Sequence, residues 1–322
     1  MQQIFSTHPL HPEVTARLQI AADFRVASAP TSAAILAEGL QAVVLIVRAN
    51  IPPDYFARAV GLRAAVRHGA GLDMIPMQAA TDAGVLVANV PGANANTVAE
   101  HAIFAAIGLL RRFRAMDTAL RQQGWTAGRA FSDHGSDLGG RQLGIFGFGN
   151  IGRAVNRIAQ GFGCRVAATT RRPETLPPNV LPLDLDALTA TSDVLVLCCP
   201  LTDATRGAIS AERIASMKHG SVLINVARGP VVNTAALVSA LQSRRISAAL
   251  DVFDTQPLPE TSPLWSLDNV ILTPHMAGIT EDSMLRMGQM AADETLRILQ
   301  GDLPINFCNP AVEPAYRRRF PA

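Results

Sequence analysis

Lysine is almost missing from this 322-residue chain: of 28 basic residues, Lys218 is the only lysine and the rest are arginine. A P-loop phosphate lysine or a Schiff base therefore has one position open to it. Lys218 stands in a polar Ser-Met-Lys-His-Gly turn, a poor setting for a desolvated amine. Cysteine is scarce as well. Cys164, Cys198, Cys199 and Cys308 have no CxxC spacing, so no metal site is expected. Cys198 and Cys199 fall in an apolar run, where thiols read as small buried hydrophobes. A reducing compartment follows, and the N-terminus shows no basic region leading into a long apolar stretch, so the expected location is cytoplasmic. No segment approaches the roughly 18 uninterrupted apolar residues of a membrane span, which excludes a membrane partner of that kind. Formal charge is only +2, without the basic bias of a nucleic-acid binder. What is present is apolar mass. Hydrophobic residues make up 48% and charged residues 17%, enough to build the cores of about two domains.

The first ninety residues alternate. Short runs rich in β-branched residues at 4–6, 24–27, 42–47, 62–66 and 85–88 are separated by helical spacing, as at 13–20 and 55–60. Strands alternating with helices predict crossover units and a parallel sheet. Pro91-Gly92 then interrupts the chain. Thr97-Val-Ala-Glu100 has capping-box spacing and predicts a helix from Thr97 to about Arg121. Its first half, 102–110, is apolar nearly all round, which suits an interdomain element or a subunit interface. Residues 122–140 are polar and glycine-rich. A second alternating series follows, with strands predicted at 143–146, 165–169, 194–198, 222–226, 248–250 and 270–272. Thr280-Glu-Asp caps a last helix to about Gln300, closed by Gly301, and the tail 311–322, with Arg317-Arg318-Arg319, reads as frayed.

Gly147-Phe-Gly149-Asn150-Ile151-Gly152 lies between a predicted strand and a helix predicted over 151–162. GxGxxG alone is weak; in this context the glycines allow a tight turn and a close approach of backbone to a pyrophosphate at the helix N-terminus. The bland alternative is a structural turn. About 20 residues on, where NAD enzymes place an acid for the ribose 2′-hydroxyl, the chain has Thr170-Arg171-Arg172. A small polar residue and guanidinium groups suit a 2′-phosphate, so NADP is favoured and NAD is the alternative; two solvated surface arginines are the plain alternative. Arg228 follows one strand and His275 another, at the carboxyl ends where ligands bind in such sheets. The arginine can clamp a carboxylate and polarise a carbonyl, and the histidine can exchange a proton with the carbonyl oxygen. Either alone is more often structural. Arg48, after 43–47, either reads a substrate's distal group or pairs with a carboxylate. His68 either lines a substrate cleft or is structural, and His8 and His11 sit between prolines with no ligand companions.

The ordered set GFGNIG (147–152), CCPLTDATRG (198–207), NVARGPVVN (225–233), ALDVFDTQPLP (249–259) and TPHMAG (273–278) resembles the D-isomer-specific 2-hydroxyacid dehydrogenase family. RHGAGLD (67–73) and VPGANANTVAEH (90–101) extend the likeness over almost the whole chain. The resemblance implies two doubly wound α/β domains: a Rossmann coenzyme domain, 99–280, inserted into a flavodoxin-like substrate domain, 1–98 and 281–322. It implies interconversion of a small 2-oxo acid with its D-2-hydroxy acid, glyoxylate and hydroxypyruvate leading. Arg228 would hold the substrate and His275 act as acid/base. The amides of Ala70 and Gly71 would take a carboxylate oxygen, and Cys199, Pro200, Ala227, Asp251 and Gly278 would join the fingerprint at the cofactor. A homodimer through the coenzyme domain is also implied. One departure stands out. Gln256 occupies the place where the family usually carries the glutamate that pairs with the histidine, and Asp254, two residues off register, is a lesser candidate for that acid. An amide orients a ring without adding charge, so reduction is expected to weaken at mildly alkaline pH. The rival reading is a dinucleotide-sensing, corepressor-like binding protein on the same fold; a complete Arg228, His275 and Gln256 set is more than a sensor requires.

Overall fold

The computed structural model describes residues 1–320. The chain divides into two compact units, one of Met1–Asn94 with the segment from Ile279 onward, the other Ala95–Gly278.

The first unit runs β1 (Gln3–Ser6), α1 (Pro12–Ala21), β2 (Asp23–Val26), α2 (Ser32–Glu38), β3 (Val44–Val47), α3 (Tyr55–Arg58), β4 (Ala64–Arg67), α4 (Met77–Asp82) and β5 (Leu86–Ala88). The second continues with α5 (Ala95–Leu110), α6 (Phe113–Gln123), α7 (Trp125–Arg129), β6 (Gln142–Phe146), α8 (Asn150–Gly161), β7 (Arg165–Thr169) and β8 (Val180–Pro182). Then come α9 (Leu185–Thr191), β9 (Val194–Leu197), α10 (Ala211–Ser216), β10 (Val222–Asn225), α11 (Thr234–Gln242), β11 (Ser247–Leu250) and β12 (Val270–Leu272). The chain returns to the first unit with α12 (Glu281–Leu299) and α13 (Glu313–Arg319).

Both sheets are parallel throughout. The first has the order β2-β1-β3-β4-β5, the flavodoxin-like winding. The second has the order β12-β11-β10-β9-β6-β7-β8, in which the winding reverses between β6 and β9, as in a Rossmann sheet. Every residue of β3, β9 and β10 is buried, as expected of strands covered on both faces.

Several local expectations are corrected. The helix after Pro91-Gly92 begins at Ala95, so Thr97 lies inside it and does not cap it. It also ends at Leu110: Arg112 adopts a left-handed conformation, φ 50°, and α6 starts afresh. The glycine-rich 122–140 segment contains the short helix α7. β8 was not foreseen; it is a three-residue edge strand ending in proline. The tail, read as frayed, forms α13, with Tyr316 buried and Arg319 donating to the carbonyls of Ala83, Ala59 and Val60. Pro321 and Ala322 lie outside the described residues. The cap at Thr280 is as read: its hydroxyl accepts from the Ser283 amide at 3.1 Å while Ser283 returns a bond to the Thr280 amide. Among the described residues no helix is long and apolar enough to cross a membrane.

Candidate active site

The nucleotide fingerprint lies at the switch point of the second sheet. Gly147 has φ +99°, and a Cβ there would stand 2.7 Å from the Cys199 backbone, so the turn after β6 presses directly against the residue that follows β9. At Gly152 a Cβ would lie 2.3 Å from the Gly147 carbonyl oxygen. These two glycines are required by packing. Gly149 differs, because nothing lies within 4 Å of its would-be Cβ. It also sits at the N-cap of α8 without any side-chain cap, so the helix presents bare amides and the positive end of its dipole to open space. Asn150, Ile151 and Gly152 form the first turn. An anion such as a dinucleotide's pyrophosphate fits this cradle on charge and on space. Under the turn, the Cys198 thiol donates to the Gly147 carbonyl at 2.9 Å; burial pushes both thiols up, Cys199 to about 11, so neither is a nucleophile.

At the end of β7, Thr170 is half-buried, and Arg171 and Arg172 are exposed. The Arg172 amide donates to the Thr170 hydroxyl at 3.4 Å. Neither guanidinium has a hydrogen bond or ion pair among the described residues, whereas other exposed arginines, such as Arg17, Arg121 and Arg244, form carboxylate pairs.

Three neighbouring strands, β10, β11 and β12, carry the remaining groups on the loops that follow them. Asn225 folds the first loop back: its amide group donates to the Arg228 carbonyl and accepts from the Ala227 amide, each at 3.0 Å. Gly229 has no room for a side chain, since its Cβ would fall 2.1 Å from the Phe253 carbonyl carbon. The loops after β10 and β11 are thereby pressed together. Arg228 is half-buried, with one guanidinium nitrogen 2.7 Å from the Ala227 carbonyl.

His275 is exposed and holds a left-handed backbone, φ 56°, unusual outside glycine and a reason to look for function. Its amide donates to the Asp251 carbonyl at 2.8 Å and the Thr273 carbonyl at 3.0 Å. The buried Asp251 carboxylate accepts from the Thr273 hydroxyl at 2.6 Å and from the Met276 and Ala277 amides at 2.8 and 3.0 Å. Asp251 thus clasps the whole 273–277 loop. His101 of α5 lies 3.4 Å from the same Thr273 hydroxyl, and burial, opposed by Asp251, lowers its pKa. Sequence reasoning missed this support, because His101 and Thr273 stand 172 residues apart. On the His275 ring, Nδ1 is 3.1 Å from Gln256 Oε1. An amide oxygen accepts, so Nδ1 carries hydrogen and Nε2 is left for chemistry. Asp254 instead accepts from the Thr234 hydroxyl at 2.5 Å. Pro200 is exposed and Gly278 half-buried at the close of the loops.

Arg48, Ala70 and Gly71 belong to the first unit. Arg48 donates to the Pro9 carbonyl and lies 3.8 Å from the Met284 sulfur; it makes no carboxylate pair among the described residues, and burial lowers its pKa. Arg67 props the loop after β4, donating to the carbonyls of Val47, His68 and Gly71. The Ala70 carbonyl is held by Asn89, while the Ala70 and Gly71 amides have no partner among the described residues. Such amides beside a guanidinium suit a carboxylate.

Residues 103–277 match the model of the D-isomer specific 2-hydroxyacid dehydrogenase NAD-binding domain. The chain is 34% identical over 292 residues to a glyoxylate reductase of Korarchaeum cryptofilum, covering 88% of each chain. It is 33% identical to a D-3-phosphoglycerate dehydrogenase of Methanocaldococcus jannaschii, covering 96% of this chain but 60% of that longer one. Among solved structures, an NADPH-dependent glyoxylate/hydroxypyruvate reductase of Sinorhizobium meliloti superposes with a TM-score of 0.86 at 28% identity, covering 96% of this chain and 98% of the other.

Proposed function

The chain belongs to the D-isomer-specific 2-hydroxyacid dehydrogenase family, oxidoreductases acting on CH–OH with a nicotinamide dinucleotide, and from that premise we propose that it reduces glyoxylate or hydroxypyruvate, with NADPH preferred. The observation that carries the proposal is His275, presented on a left-handed turn at the carboxyl end of β12 with Gln256 against Nδ1.

The nicotinamide, when bound, supplies the hydride. Everything else falls to the chain. Arg228 binds the substrate carboxylate and draws electron density toward the carbonyl oxygen. Ala70 and Gly71 would offer amides to the carboxylate's other oxygen, and Arg48 would read a substrate's distal group. Protonated His275 donates from Nε2 to the carbonyl oxygen as it gains charge, and takes the proton back in the oxidative direction. Gln256 keeps the ring in the tautomer that makes this possible, and Asp251 fixes the loop that carries it. Domain roles follow from these positions: Ala95–Gly278 holds the coenzyme, and the other unit the substrate.

The preference for NADPH rests on Thr170 and the two unpaired guanidinium groups, which suit a 2′-phosphate, and the Sinorhizobium relative is named for NADPH. A homodimer through the second unit is part of the proposal: Phe104, Phe113 and Trp125 on α5 to α7 are 62, 52 and 76% exposed, large apolar side chains that a partner subunit would cover. So is a cytoplasmic setting, in keeping with four free thiols.

The test is loss of reduced cofactor with a panel of 2-oxo acids, once with NADPH and once with NADH. Turnover of glyoxylate or hydroxypyruvate with NADPH preferred supports the reading, and replacing Arg171 and Arg172 by alanine should then weaken NADPH about 10- to 100-fold and leave NADH unchanged. An NADH preference would sink the 2′-phosphate argument and spare the reaction. Binding of cofactor without turnover of any acid would favour a sensor.

A further inference from the structure

Asp251 is a buried carboxylate to which no arginine or lysine is paired among the described residues. Its charge is held by three donors instead, the Thr273 hydroxyl and the amides of Met276 and Ala277. An ion taken out of water depends on each of them. The two amides are fixed by the chain, but the Thr273 hydroxyl is a rotor that can turn its single proton elsewhere. A donor on the hydroxyl's other side would keep that proton on the carboxylate.

Among the described residues His101 is the side chain placed to do so. Its Nε2 lies 3.4 Å from Thr273 Oγ1, whose proton is committed to Asp251 at 2.6 Å. The oxygen can therefore only accept, and Nε2 is the nitrogen that carries hydrogen. The bonds then run one way, from His101 through Thr273 to Asp251, and members of such a chain strengthen one another. The support is firm. Ala102, Ala105 and Ala106 of α5 are fully buried, and a Cβ at Gly108 would come 3.4 Å from the Ile271 side chain of β12. The helix thus packs against the strand that feeds the 273–277 loop. A histidine that only filled space on α5 would need no nitrogen facing Thr273, and leucine would serve as well.

We propose that His101 is a positioning residue for the acid/base loop: its Nε2–H fixes the Thr273 hydroxyl on Asp251, and Asp251 in turn fixes the backbone that presents His275. His101 acts only through these two residues and takes no part in hydride or proton transfer. The kinetic consequence rests on the reaction proposed for His275; the structural one does not.

The experiment compares His101→Leu, which keeps the bulk and removes the donor, with His101→Gln, which keeps an N–H donor. Hydrogen exchange of the Met276 and Ala277 amides is followed in the full chain, and kcat for a 2-oxo acid is measured in light and heavy water. In His101→Leu both amides should exchange about 3- to 10-fold faster, the worth of one hydrogen bond. The kcat should fall by a similar factor with a larger solvent isotope effect, because a loosened donor makes proton transfer more rate-limiting, while cofactor affinity is retained. His101→Gln should restore both readouts. In a Thr273→Val background, where the chain is already cut, His101→Leu should add nothing. Equal exchange in His101→Leu and the parent overturns the proposal, as does equal damage from leucine and glutamine, which would mark a packing role. Faster exchange with kcat unchanged in an active parent also overturns it. If the parent reduces no acid, the proposed reaction fails, and the exchange comparison alone decides the part played by His101.

Discussion

Two histidines follow the carboxyl ends of two parallel strands, His68 after β4 in one unit and His275 after β12 in the other. Their sequence settings are alike, each beside a small-residue turn, yet their surroundings oppose one another. His275 is exposed, with an amide oxygen on Nδ1. His68 is 3% exposed, its buried Nε2 has no hydrogen-bond partner among the described residues, and burial, reinforced by the charges of Arg48 and Arg67, brings its pKa down to about 3. What separates the proposed proton carrier from a neutral core group is therefore the environment each loop builds: three hydrogen bonds to a buried carboxylate hold the 273–277 loop with His275 exposed, whereas burial, with two guanidinium groups beside it, keeps His68 uncharged.

The largest expected effect tests that contrast directly. Replacing His275 by asparagine should lower kcat by about 10² to 10⁴-fold, the usual worth of a positioned general acid, while His68→Asn at pH 7 should leave kcat within a fewfold. Steady-state rates of purified, folded variants decide it, and equal losses at both positions would break the comparison. Next in size is the clasp. Asp251→Asn keeps the shape but replaces one charged acceptor oxygen with a donor that faces an amide or the Thr273 hydroxyl, so the loop loosens. We expect kcat to fall about 10- to 100-fold with cofactor affinity little changed, as befits a misplaced proton donor; a loss confined to cofactor binding would assign Asp251 to the dinucleotide instead.

A smaller effect concerns the partner of Nδ1. In Gln256→Glu a carboxylate would face the ring and favour its charged form. The alkaline limb of 2-oxo acid reduction should move upward by about one pH unit, with little change in the rate at the optimum, since one unit corresponds to about 1.4 kcal/mol of ion-pair stabilisation. A pH–rate profile identical to that of the parent would show that Gln256 does not meet His275 in the reacting enzyme.

Much of this frame was legible in the sequence because parallel strands buried on both faces leave continuous apolar runs, and 165–169 and 270–272 match β7 and β12 residue for residue. The fingerprint could be read because its glycines answer to local geometry. What stayed hidden was set by distant contacts. No glycine or proline marks the break at Arg112, and nothing near Asp251 announces that its oxygens are taken by residues 22 to 26 positions onward. The frayed tail misled because polar, arginine-rich composition suggests solvent, while Tyr316 is buried and Arg319 finds three carbonyls through the fold.

The last expected effect is on stability rather than on rate, and it belongs to His68. Its folded pKa, about 3, lies below the ordinary value near 6.5, so between those limits the unfolded chain binds the proton that the folded chain refuses. Stability then rises with pH across this window. The contribution is fully present above about pH 6.5 and is lost as pH falls toward 3, at up to about 1.4 kcal/mol per pH unit. His68→Gln removes the titration, so its midpoint of denaturation should fall less steeply from pH 6.5 to pH 4.5 than that of the parent, even if the variant starts from a lower stability. Parallel slopes would mean that His68 is hydrated and able to charge in the folded protein, and the distinction between the two histidines would then rest on position after all.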